Sequence, residues 1–307
     1  MAIEPHSVAA RSPAWHAVRR VDLTCSDIGA AVGVDPYRSP LQVYAEKTGA
    51  ILATEETNIM RRGRWLEAAA IEALRETYPD WNIRYPLGLY LRDPDCRLGG
   101  TPDALAEDPD DPGLINCQIK TASRPTFERW EGVPPLAYLL QTTGEGYLLD
   151  ARRSILAVLV VDTYSADLEL FDVPRHDAAE ARIREIATTF WENIRLGHRP
   201  VPDYSRDAET IAAMFPKPDP GKAIDLSGDN RLLQILPERA ALKDDIKAFE
   251  TRIDALDAEI KDKLGDAETG ELPGWRISWK EETRKAYQVA ESTRRVLRVS
   301  DRREKAA

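Results

Sequence analysis

The sequence predicts a mixed α/β protein, a mixed sheet flanked by helices and followed by a C-terminal helical and hairpin extension. Three observations predict it. Residues 155–162, ILAVLVVD, are a nearly continuous apolar and β-branched run, the pattern of a central strand buried on both faces. Met60, Leu66, Ala70, Leu74 and Tyr78 recur at helical spacing over residues 58–78. Residues 99–121, GGTPDALAEDPDDPGLINCQIKT, read as two strands joined by an acidic turn.

The elements follow in order. Short helices and turns fill residues 1–50: Ser26 is a plausible N-cap for a helix over 27–33, Asp35-Pro36 marks a turn, and Ser39-Pro40 opens a helix to about Lys47. Strands are expected at 83–91, 96–106 and 113–121, and a helix from about Pro135 to Asp150. The central run pairs with LELFDV, 168–173, across a short polar turn, and a polar-faced helix covers 176–196. These elements form a core over residues 1–200, and the proline-rich stretch 201–221 is expected to be a linker or wrapping loop. Residues 222–307 make the extension. In it Leu242, Ile246, Phe249, Ile253, Leu256 and Ile260 are spaced 4, 3, 4, 3 and 4, a heptad pattern over about three repeats. That spacing predicts a paired helix folding back against a neighbour; it is too short to require a coiled-coil dimer. A hairpin is expected near 272–280.

Composition narrows the function. With 43% hydrophobic and 31% charged residues, the chain can bury a core and stay soluble. The net charge of −10 does not advertise nucleic acid, yet a local basic groove with bound cations would suffice. Cys25, Cys96 and Cys117 are dispersed and form no CxxC pair, which argues against zinc, a disulfide framework and an iron–sulfur cluster, and fits a reducing cytoplasm. The four histidines are scattered, and there is no GxxxxGK[ST] loop, no signal-type segment and no apolar run long enough for a membrane span. Trp275 and Trp279 with Arg276 and Lys280 would suit single-stranded bases, but packing of the indoles on the helical pair is favoured. The tail holds Arg294, Arg295, Arg298, Arg302 and Arg303, equally suited to phosphates or to solvent.

Metal-assisted hydrolysis of a phosphodiester needs hard oxygen ligands that converge, with a cation beside the attacking water. Asp103 ends one strand, and Gln118 and Lys120 lie two apart on the next, on one sheet face. Glu67 reaches the same place from the preceding helix. Taken singly these are weak signals: Thr-Pro-Asp is a common turn, QIK a common solvated edge, and Glu67 an ordinary helix carboxylate.

Their order, with flanking motifs, resembles the PD-(D/E)XK nuclease superfamily and, within it, the YqaJ-like viral recombinase or lambda exonuclease family. The resemblance covers about residues 12–175 and rests on WHAVR at 15–19 with TCS at 24–26, VDPYRSP at 34–40, GRWLE at 63–67, GTPDA at 100–104, QIKT at 118–121 and YLLQ at 138–141. It implies a restriction-endonuclease-like fold and a Mg²⁺-dependent DNA exonuclease (Mn²⁺ substituting) that digests duplex ends 5′ to 3′. A single-strand annealing protein would be its partner, and assembly into a ring is a family habit. By the same resemblance Asp103 is the principal metal ligand, Glu67 the helix acid, Ile119 a carbonyl ligand, Lys120 the catalytic lysine and Gln141 the glutamine that helps hold the site. Arg19 and Ser26 match residues that grip a DNA 5′-phosphate.

Gln118 departs from the pattern, which has Glu or Asp there. Its amide oxygen can still ligate Mg²⁺ but brings no charge, so the carboxylates fall to Glu67 and Asp103. The chain is then a QxK variant that cuts, an impaired or inactive homologue that binds DNA ends, or an active-site mutant of the nuclease.

Overall fold

The computed structural model describes residues 2–52, 56–286, 291 and 293–300. The chain divides into two compact units, Met1–Phe215 and Pro216–Ala307. The proline-rich stretch 201–221 is therefore shared between them. The tail residues Arg302 and Arg303 lie outside the described residues.

The first unit opens with strand β1 (Glu4–Ser7), helix α1 (Pro13–Val21), the two-residue strand β2 (Leu23–Thr24) and helix α2 (Cys25–Ala31). Helix α2 starts at Cys25, so Ser26 is not its N-cap as expected. Thr24 takes that role, because the Asp27 carboxylate accepts both its backbone N–H (3.1 Å) and its hydroxyl (2.6 Å). Helix α3 (Pro40–Thr48) begins as the Ser-Pro pair predicts, with the Ser39 hydroxyl accepting the Gln42 N–H at 3.0 Å. The long helix α4 (Asn58–Thr77) carries the expected apolar stripe, though Met60 is exposed and only Ala70, Ile71 and Leu74 are fully buried.

Strands β3 (Leu89–Asp93), β4 (Leu98–Gly100), β5 (Ala104–Glu107) and β6 (Leu114–Ser123) come next. Two expectations change here. The predicted strand 83–91 begins only at Leu89; upstream, Arg84 makes an isolated bridge to Leu105. The predicted strand 96–106 is two strands in different sheets, broken at Thr101-Pro102-Asp103. Pro102 has no N–H to offer a ladder, so the break falls where continued pairing is least favourable.

Helix α5 (Arg124–Glu128) and helix α6 (Leu136–Leu148) lead to strand β7 (Arg153–Val161), strand β8 (Ala166–Pro174) and helix α7 (Asp177–Leu196). One sheet has the order β1-β3-β4-β2 and the other β5-β6-β7-β8. In the second, β6 and β7 are parallel and the outer pairs antiparallel, so the sheet is mixed. Ile115, Cys117 and Ile119 of β6 pack with Ile155, Ala157 and Leu159 of β7 against α4. On the opposite face Leu156, Val158 and Val160 pack against α5 and the start of α6. Helices thus cover both faces, as the ILAVLVVD run predicts.

Helix α6 also meets α2, and the approach is close. A Cβ on Gly29 would stand 2.6 Å from the Ala137 Cβ, so only glycine fits without movement. Helix α8 (Ala208–Met214) lies inside the stretch expected as a linker. Just before it, the buried Asp207 carboxylate accepts the Ser39 hydroxyl and the Asp203 N–H, tying this stretch to α3.

The second unit holds helix α9 (Leu232–Leu264), 33 residues long, and a hairpin of β9 (Thr269–Leu272) and β10 (Trp275–Ser278). The helix carries the predicted heptad stripe, but the expected folding back against a neighbour is not seen among the described residues: none of the helix residues is buried. The indoles of Trp275 and Trp279 are also exposed, not packed on a helical pair. No helix among the described residues is long and apolar enough to cross a membrane.

Candidate active site

Six side or main chains named from the sequence meet around β6. The sheet switch at Pro102 leaves Asp103 just before β5, whose first residue Ala104 pairs with Cys117. The Asp103 carboxylate accepts the backbone N–H of Ile119 at 2.9 Å and the amide N–H of Gln118. One residue further, Lys120 Nζ donates to Gln141 Oε1 at 2.8 Å, reaching across to α6. The Tyr138 ring centre lies 5.3 Å from the same ammonium.

Glu67 joins them electrostatically from α4. Its carboxyl is pushed up to about 7, first by burial and then by the Asp103 charge, against the Tyr85 hydroxyl, Lys120 and Arg11. Burial also raises Asp103, opposed by Lys120, the Ile119 N–H and the Gln118 amide. Two carboxyls held up in this way have affinity for a further cation.

Gln118 is buried among these groups. The side chain is 1% exposed, and its Nε2 donates to Asp103 and lies 3.5 Å from the Ile119 carbonyl oxygen. The amide nitrogen thus sits between two of the expected metal ligands, Asp103 and the Ile119 carbonyl. Its own Oε1 is buried without a hydrogen-bond partner. Turning the amide over would present that oxygen to the same space. Among the described residues no group of three His, Cys, Asp or Glu side chains could hold a metal. A cation here would therefore rest on the Asp103 and Glu67 carboxylates plus two neutral oxygens, Gln118 Oε1 and the Ile119 carbonyl. That all-oxygen set fits a hard divalent ion such as Mg²⁺.

Sequence reasoning missed Glu145. It lies one helical turn beyond Gln141, and its Oε1 accepts the Gln141 Nε2–H at 3.0 Å. This contact fixes which way the Gln141 amide faces, and so presents Oε1 to Lys120. Glu145 is buried, with Oε2 unpartnered, and its carboxyl is pushed up to about 8 by burial and then by Asp103. The signal available was Gln-x-x-x-Glu on a helix, which alone suggests only a surface pair.

Arg19 and Ser26 also come together, at the side of this cluster. Arg19 Nη2 donates to Ser26 Oγ at 3.2 Å and approaches Thr24 Oγ1 at 3.5 Å, while its guanidinium lies 4.4 Å from the centre of the Trp15 ring. Behind them Asp27 is ion-paired with Arg38 at 2.6 Å and Lys47 at 2.8 Å, which holds its carboxyl far below the usual range despite burial. Helix α2 is only seven residues long, so an anion here would depend on the guanidinium and hydroxyls rather than on a helix dipole. The Arg19 charge also opposes the rise of Glu145, linking the two clusters.

A mixed sheet with helices on both faces, switching sheets at a Pro-Asp beside a Gln-x-Lys strand, is a restriction-endonuclease-like fold. Residues 14–145 match the model of the YqaJ-like viral recombinase domain. It is 24% identical over 274 residues to the uncharacterized protein YqaJ of Bacillus subtilis strain 168, a match covering 87% of this chain and 82% of that protein. Among solved structures it is similar to the alkaline exonuclease LHK-Exo of Laribacter hongkongensis, at 20% identity and a TM-score of 0.50, over 66% of this chain and 100% of that one. The same enzyme in complex with dAMP matches at 19% identity, a TM-score of 0.50 and the same coverage. At such identities the likeness concerns the fold.

Proposed function

We propose that this protein is a metal-dependent deoxyribonuclease, an exonuclease that digests duplex DNA from 5′ ends in phage-type recombination. The observation that carries the reading is the meeting of Asp103, Gln118, Ile119 and Lys120 on one strand edge, with Glu67 acting on Asp103 from α4. The match of residues 14–145 to the YqaJ-like viral recombinase domain and the fold shared with an alkaline exonuclease support the reading.

Asp103, Glu67, Gln118 Oε1 and the Ile119 carbonyl would hold Mg²⁺, with Mn²⁺ as substitute. When bound, the cation supplies Lewis-acid polarisation of the scissile phosphate and acidifies water. Lys120 orients the attacking water and offsets developing charge, and Gln141 holds its ammonium in place. Arg19 and Ser26 grip the terminal 5′-phosphate, which sets the polarity. The strand left single would pass to an annealing protein.

A second reading is favoured by one residue: Gln118, bonded to Asp103, brings no charge where the nuclease pattern has an acid. On that reading the protein binds DNA ends without cutting. Incubation with 5′-phosphorylated linear duplex and Mg²⁺ or Mn²⁺ separates the two. Nucleotide release, blocked by a chelator and by Lys120→Met, is expected. Tight end binding with no release would establish the binder, and cleavage of covalently closed circles would make it an endonuclease.

A further inference from the structure

The second unit presents an apolar stripe that none of its described residues buries. Leu242, Ile246, Phe249, Ile253, Leu256 and Ile260 are all exposed, Phe249 by 66% and Ile253 by 56%. The hairpin does not lie over them. It is seated at the helix end, where a Cβ on Gly270 would come within 2.9 Å of Leu264 Cδ2. A 33-residue helix that buries no side chain gains no packing energy, and packing is where most helical stability in proteins originates.

The stripe has a heptad register. With Ile246, Ile253 and Ile260 at position a, Leu242, Phe249 and Leu256 fall at position d. The same register puts Arg239 and Lys263 at core positions, so charged residues close both ends of the seam. Isoleucine at every central a position, opposed by leucine at two d positions of three, is the choice that favours two parallel strands.

Charge selects between orientations of a second copy. In a parallel pair each g residue faces the e residue five positions on in its partner. Glu238 then meets Lys243 and Arg252 meets Asp257, both attractive, while Asp245 meets Glu250. In the antiparallel register that also pairs every a with a d, Lys243 meets Asp257, but Asp245 meets Glu259, Arg252 meets Arg252 and Glu250 meets Glu250. The parallel pair therefore gains more attractive contacts and fewer repulsive ones.

We propose that α9 is one strand of a parallel, in-register coiled coil formed with a second copy of this chain. The pair buries the stripes of both helices over the span 242–260, a seam of about 28 Å at the ordinary helical rise. It joins two chains through their second units and does not depend on the nuclease reading.

The full chain tests it. Sedimentation at about 10 µM should give a dimer or an even multiple, since assembly follows mass action. Ile253→Asp, which puts two charges in the seam, should weaken the pairing about 100-fold or more and leave the first unit folded. Glu250→Lys should tighten it about three- to tenfold at low salt, because Asp245 then faces a lysine only in the parallel pair. Ile246→Cys should form a disulfide-linked pair on mild oxidation, the native cysteines being buried. In the antiparallel pair the two 246 positions would lie about 15 Å apart, and a mixture of Ile246→Cys and Leu256→Cys chains would cross-link instead. A monomeric native chain, an assembly indifferent to Ile253→Asp, or cross-linking only in the mixture would each overturn the proposal.

Discussion

At the scale of single residues the proposed chemistry turns on Gln118. Its amide donates to Asp103, so Gln118→Glu replaces a hydrogen bond with two carboxylates side by side. In chelator at pH 8 the variant should be less stable than the native chain by ~1–3 kcal/mol, and Mg²⁺ should reverse the order. Thermal unfolding with and without Mg²⁺ checks this; an equal response in both proteins would remove Gln118 from the metal site. Glu145 supplies a prediction in pH. Its folded pKa of about 8 lies above the ordinary 4.5, so the folded state keeps a proton that the unfolded state releases. Stability attributable to this group is therefore full below about pH 4.5 and falls as pH rises towards 8. The groups that act on it are Asp103, Lys120, Arg19, Cys25 and the amide of Gln141. Glu145→Gln copies the protonated acid, so it should flatten the profile and be more stable at pH 8 by ~2–4 kcal/mol, as urea unfolding would measure. The hydrogen-bonded cluster of Asp103, Gln118, Ile119, Lys120 and Gln141 was legible in the sequence because each sits in a short motif. Glu145 was not: an acid one turn from a glutamine carries no local mark of burial.

At the scale of elements the periodicities carried well. The stripe of α4, the doubly buried β7 and the caps of α3 appear where apolar spacing and Ser-Pro place them. The switch of sheets between β4 and β5 was hidden, because alternation records which face a residue takes and not which sheet its strand joins. That switch is nonetheless what frees the Asp103 carboxylate to meet the Ile119 N–H. The crossing of α2 on α6 is a second tertiary fact with one sequence trace, a glycine. Gly29→Ala forces a methyl into the Ala137 backbone, 2.9 Å from its Cα. It should cost ~1–3 kcal/mol and weaken binding of 5′-phosphorylated ends more than of 5′-hydroxyl ends, since α2 carries Ser26. Denaturation together with fluorescence-anisotropy titration of the two ends would check it; equal loss on both would detach the α2 arm from phosphate binding.

Across the whole molecule the net charge of −10 conceals a local reversal. Among the described residues, Arg11, Arg61 and Arg64 gather around the Glu56 carboxylate, beside the helix that carries Glu67. Such a surplus attracts phosphates despite the overall sign. Replacing Arg61 or Arg64 with alanine should lower duplex affinity without base preference and reduce the slope of log K against log salt by about 0.9 each. Unchanged slopes would place the DNA track elsewhere. The division into two units was only partly legible. Proline content marked the boundary region, but Asp207 and α8 belong with the first unit because of a side-chain contact to Ser39 that no local pattern announces.

The Gln118 amide has one more consequence. Buried and bonded to Asp103, its Nε2 braces the chain just after Pro102 against the middle of β6. The corner where the chain leaves one sheet for the other is thereby anchored to the neighbouring strand.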